Sequence, residues 1–168
     1  MNSLLAYPEE VLELVRVVSN YEHFAQLNFA VPLKLDSSTM AKIDELMSRK
    51  HFLASLVVRL TSISVSPDRQ QRMKALNTLH LLLYKLDHDP RFRSDKVRRR
   101  LLQIYFPFLL QVVDSIDEYR KADYEEQRAV CVAFIFIVKH IDPALLKQWW
   151  KRDTLTRQVA FLQTLNMI

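Results

Sequence analysis

The chain has 168 residues, 49% of them apolar and 26% charged, enough for one domain with a buried core and unlike a disordered segment. It contains no glycine, which excludes phosphate-cradling loops, nucleophile elbows and dinucleotide-binding turns, since these need a residue without Cβ at a tight turn or close approach. The net charge of +5 is local: Arg91, Arg93, Lys96, Arg98, Arg99 and Arg100 stand against Asp95 alone between residues 91 and 100, a surplus equal to that of the whole chain.

The first predicted helix starts at Pro8, with Glu9 and Glu10 at the positive end of its dipole. Val11, Leu14, Val15 and Val18 carry it to about Asn20. From Phe24 to Leu35 there are no helical caps and Pro32 interrupts, so an irregular crossing segment with buried Phe24, Leu27 and Phe29 is expected, followed by a short helix over Thr39 to Met47. Between His51 and about Val65, Phe52, Leu53, Leu56, Val57, Leu60 and Ile63 give a wide apolar face. Ser66, Pro67 and Asp68 end that helix and open the next, in which Leu76, Leu79, Leu83 and Leu86 form one stripe. Asp87, His88, Asp89 and Pro90 stop it.

After the basic connector, Leu101, Tyr105, Phe108, Val112 and Ile116 predict a helix from about Ser94 to Tyr119, kinked near Gln103 because Pro107 lies inside it. This helix and the leucine-striped one before it are expected to pack as an antiparallel hairpin. Asp123 and Glu126 have the spacing of a capping box. The ten apolar residues from Ala129 to Val138 read as strand by composition, but the cap and the continuation to Lys139 and His140 favour a helix buried on nearly all sides. That run is also too short to span a bilayer. Pro143 begins a helix through Trp150, and Asp153 or Thr154 opens the last one.

The expected fold class is therefore all-α: antiparallel helical hairpins stacked as an armadillo- or HEAT-like solenoid of degenerate repeat, with residues 1–168 forming a single helical scaffold domain. Both ends carry apolar faces without a polar cap, which points to a segment of a longer array, prone to self-association.

No set of residues suggests catalysis, a cofactor or a metal. Cys131 lies among Val130, Val132 and Phe134 and reads as an inert core thiol; having no partner cysteine, it suggests an intracellular, reducing compartment. The N-terminal residues lack the pattern of a signal peptide, so a soluble cytoplasmic protein, open to recruitment to a membrane, is expected. His88 between two aspartates belongs to a solvated turn; His80 borders the leucine stripe, and His23, His51 and His140 have no recognisable partners.

Two groups are candidates for binding. The basic residues Arg91, Arg93, Lys96, Arg98, Arg99 and Arg100 suit an acidic protein surface or an anionic membrane, with Arg98, Arg99 and Arg100 projecting into solvent and Arg91 bracing the preceding helix end. Nucleic acid is not expected, because exposed aromatics are not interleaved with the charges. Trp149 and Trp150, flanked by Lys147, Lys151 and Arg152, point about 100° apart on a helix, which suggests one core and one interface indole.

Taken in order, several elements resemble the helical scaffold of the dedicator-of-cytokinesis (DOCK) family, especially its zizimin-like branches. These are Phe24 followed by Leu27, Asn28 and Pro32; the helix start His51, Phe52, Leu53; the connector Asp89, Pro90, Arg91, Phe92; the element Ile104, Tyr105, Phe106, Pro107; and Gln148 and Trp149 followed by Gln158 to Leu162. The resemblance implies a parent guanine nucleotide exchange factor for Rac- or Cdc42-type GTPases. Exchange would belong to a separate catalytic domain, leaving this chain a non-enzymatic scaffold that positions other domains and binds protein partners. A free-standing helical adaptor and a phosphate-binding module at residues 91–100 are the alternatives.

Overall fold

Acidic and hydroxyl side chains cap four of the helix starts. The structure, a computed structural model, describes residues 8–20, 52–90 and 94–167. The expected crossing segment and the helix at 39–47 lie outside them. Nine α-helices are found among the described residues and no strand: α1 Pro8–Asn20, α2 Phe52–Leu60, α3 Arg69–His88, α4 Asp95–Leu102, α5 Phe106–Asp114, α6 Ile116–Lys121, α7 Tyr124–His140, α8 Pro143–Arg152 and α9 Leu155–Leu165. Asp68 caps α3 through the Gln70 amide, Asp123 caps α7 through the Glu125 and Glu126 amides, Asp142 caps α8 through Ala144, and Thr154 caps α9 through Arg157.

The long helix expected from Ser94 to Tyr119 is instead broken twice. A 3-10 turn, Gln103–Tyr105, separates α4 from α5, and Ser115 separates α5 from α6. Pro107 explains the first break: its ring clashes with the carbonyl four residues back, at Gln103, whereas in the first turn of a new helix its missing N–H costs nothing. The helix expected to reach Val65 ends at Leu60. There the Thr61 hydroxyl donates to the Val58 carbonyl at 2.6 Å, and a turn bonds Ser66 N to Ser62 O. Tyr119 of α6, fully buried, fixes this turn by donating to the Thr61 carbonyl at 2.9 Å.

α1 and α7 pack on α3, and α3 and α7 run parallel. Lys74 of α3 meets Glu9 of α1 at 3.0 Å, and the groove between these helices is lined by Glu9, Glu13 and Arg16 of α1 and Lys74, Thr78 and Leu81 of α3. On the other side of α3, Arg69 pairs with Asp123 and Glu125, Arg72 with Glu126, and His80 with the Ala129 carbonyl. Residue numbers on both helices rise together, so their N-termini are adjacent. α2 packs against α3 and α5, and the main neighbours of α5 are α2, α7 and α9. Of the helix expected to pair with α3, the first part, α4, packs on α3, whereas after the breaks at 103–105 and 115 the α5 stripe faces mainly α7 and α9. One apolar core joins the helices, with Tyr105, Phe108, Leu109, Phe134 and Ile137 fully buried at its centre. Between α7 and α8 the chain bends by 107°. No single described helix is long and apolar enough to cross a membrane.

Candidate functional site

The basic segment begins where α3 ends. Arg91, Arg93 and the Arg100 side chain lie outside the described residues. Lys96 and Arg99 are exposed on α4, as solvated charges at a helix start should be. Arg98 is not: Nη1 donates to Asp87 of α3 at 2.9 Å, and the side chain is largely covered. The expectation that Arg98 projects into solvent is thus corrected. One turn of helix separates Arg98 from Ser94, whose carbonyl accepts the Arg98 amide, and this places the guanidinium against the last turn of α3, where a cation also complements the dipole.

Trp149 and Trp150 do not divide into one core and one interface residue. Both are half-buried and both pack on Phe161 of α9, with ring centroids 5.4 and 5.9 Å away; Trp149 also meets Phe106 of α5 edge-on at 6.3 Å. The short α8 lets adjacent indoles, about 100° apart, straddle one phenyl ring. The Trp149 Nε1 is buried with no hydrogen-bond partner among the described residues. These rings join α8 and α9 to the core.

The α3–α7 seam holds the titratable groups. His80 Nε2 donates to the Ala129 carbonyl at 2.8 Å, and burial holds the imidazole below its usual pKa range. His88, exposed at the end of α3, stacks on Tyr84 with centroids 3.8 Å apart and donates from Nδ1 to the Tyr84 carbonyl. His140 packs on Phe136, and its burial, then Lys139, lowers its pKa. Cys131 is buried, and burial pushes its thiol up, away from the reactive thiolate. No cluster of three or more metal-ligating side chains occurs among the described residues.

Sequence reasoning missed the ion pair beneath this seam. Glu126 does not close a capping box; it turns inward, and both its oxygens accept from Arg72, at 2.6 and 3.0 Å. The signal was present in the spacing. Arg72 precedes Leu76 and Leu79 on the buried stripe of α3, and Glu126 precedes Val130 and Ala133 on that of α7. A charge on an apolar stripe requires a buried counter-charge. The exposed apolar stripe of α9 (Leu155, Val159, Leu162, Leu165) was foreseen only as an apolar face at that end of the chain.

Comparison with known proteins bears on what such an array belongs to. The chain is 28% identical to Dedicator of cytokinesis protein 9 of Homo sapiens over 126 residues, covering 68% of this chain and 6% of the relative. It is 25% identical to Guanine nucleotide exchange factor SPIKE 1 of Arabidopsis thaliana over 115 residues, again 68% and 6%. This chain is a relative of the dedicator-of-cytokinesis proteins. Dedicator of cytokinesis protein 7 of Homo sapiens matches at 23% over 155 residues, 73% of this chain and 7% of the relative. The zizimin-like branch of the dedicator-of-cytokinesis family is consistent with these matches. The chain spans only about one-fifteenth of the length of these dedicator-of-cytokinesis relatives. No family model matches it, and no solved structure does.

Proposed function

We propose that this chain is a non-catalytic helical scaffold segment of a DOCK-like guanine nucleotide exchange factor for Rho-family GTPases, holding other domains in place and binding protein partners. The observation that carries the reading is the parallel setting of α3 and α7, with α1, α2 and α5 packed beside them, in a chain whose relatives include an exchange factor by name. Parallel helices separated by returning helices are the geometry of armadillo- and HEAT-like stacks, which extend by adding helices to an apolar edge. The α9 stripe, where Leu155 is 74% and Leu162 54% exposed, supplies such an edge.

The test is a fluorescent-nucleotide release assay with Rac- and Cdc42-type GTPases and the chain alone. Release at the intrinsic rate is expected, and catalytic acceleration would overturn the scaffold reading. Light scattering on the same sample tests the edge: concentration-dependent self-association that Leu155→Lys with Leu162→Lys suppresses is expected, and a strict monomer at all concentrations would count against a stacking surface.

A further inference from the structure

We propose that the groove between α3 and α7 is a docking surface for an acidic peptide segment of a partner protein, one that seats a single apolar side chain between Tyr84 and Val132. The groove has a volume of about 390 Å³ and is lined by His80, Leu83, Tyr84, Val132, Ala133 and Phe136, with Asp87 and His88 at one end. Tyr84 is 58% and Val132 52% exposed, although both are large and apolar. The ring of His88 lies nearly flat on that of Tyr84, 17° from parallel, so that wall is a rigid aromatic surface.

The charges around this apolar floor select the occupant. Arg128 lies one turn before Val132 and Lys139 two turns after it on the same face of α7; both are exposed and form no ion pair among the described residues. At the C-terminal end, α4 packs against both α3 and α7 and brings its exposed Lys96 and Arg99 there. The acid that lines the groove, Asp87, is neutralised by Arg98 at 2.9 Å, and Asp89 at the end of α3 and Asp95 of α4 are further carboxylates near that end, set against Lys96, Arg99 and Lys139. Positive charge thus flanks the apolar strip at both ends, the complement of an acidic segment with a central hydrophobe. The proposal stands independently of the exchange-factor reading.

The probe is a fluorescein-labelled peptide in which a central phenylalanine is flanked on each side by three alternating glutamates and aspartates, titrated by anisotropy with the full chain at near-physiological salt. Saturable binding is expected. Val132→Glu, and separately Arg128→Glu with Lys139→Glu, should weaken it by roughly tenfold or more, whereas Leu162→Glu on α9 should leave it unchanged. Replacing the phenylalanine by serine should weaken it comparably. Because Val132 is exposed, thermal melts of Val132→Glu should match those of the parent chain. Absence of saturable binding would overturn the proposal, and so would equal binding by Val132→Glu, which marks unspecific attraction to polyanions. Preferential, Val132-dependent binding to phosphatidylserine vesicles over the peptide would overturn it in favour of a membrane surface.

Discussion

Arg72 of α3 has every arm of its guanidinium engaged, and Glu126 of α7 is its charge partner: Nε and Nη2 donate to the carboxylate, while Nη1 donates to the Ser66 and Pro67 carbonyls at 2.9 and 2.7 Å. With side-chain exposures of 7% and 1%, the pair is buried between two helices distant in sequence. It fixes where α7 sits along α3 and ties both to the turn that precedes α3.

Glu126→Leu should be severely destabilising, by roughly 3–5 kcal/mol, because it strands a buried guanidinium. Adding Arg72→Leu should recover more than half of that loss, since the stranded charge goes with it. Urea unfolding of the two single variants and the double variant checks this. A double variant as unstable as Glu126→Leu would show that the cost lies in packing rather than charge.

Stability should fall as the pH drops through the histidine range. His80 has a folded-state pKa held below its unfolded value of about 6.5 by burial, so the unfolded chain takes up the proton more readily. Its contribution is then complete above about pH 6.5 and is lost as pH falls toward the lowered folded value. His140 acts in the same direction. Thermal melts between neutral pH and about pH 5 should show a shallower slope for His80→Gln than for the parent chain.

Arg98→Ala should cost about 1 kcal/mol, the scale of a partly covered charged hydrogen bond, whereas Lys96→Gln and Arg99→Gln should stay within about 0.5 kcal/mol of the parent. Chemical denaturation of the three variants decides it. Equal loss in all three would mean that the Arg98–Asp87 contact contributes nothing beyond general charge.

Phe161→Ala should destabilise by roughly 3–5 kcal/mol and loosen both tryptophans, because Phe161 is the ring on which Trp149 and Trp150 meet. Their fluorescence should shift to the red under native conditions. An unchanged emission maximum would mean that α8 is held by other contacts.

The sequence made the helices legible because caps and apolar period are local. Asp68 and Asp123 are caps at the helix starts read from the sequence, Thr154 rather than Asp153 caps the last helix, and Pro107 marks the break near Gln103. What period cannot reveal is which helix each stripe faces. The apolar stripe of α5 suggests α3 as its partner, yet its main neighbours are α7 and α9, since the bends at 103–105 and Ser115 depend on packing around Tyr105 and Tyr119. The candidate site was less legible. Lys96 and Arg99 are exposed as their charge requires, but Arg98 finds Asp87 across a turn, and the tryptophans share a ring supplied by another helix. The α3–α7 groove arises from two helices that only the tertiary fold makes neighbours.

The parallel setting of α3 and α7 also has a consequence for the order in which the molecule assembles. Arg72 and Glu126 are 54 residues apart, and the chain between them must travel out and back before the two helices align. Closing so long a loop is entropically costly, so the seam can lock only after the intervening helices have collapsed. α5, α6 and α7, joined by short turns, meet through nearby contacts and suit an early nucleus. Substitutions at the Arg72–Glu126 pair should therefore chiefly speed unfolding, while substitutions at Phe108 or Phe134 should slow folding. The contact that aligns α3 with α7 is thus expected to be among the last to form and among the first to open.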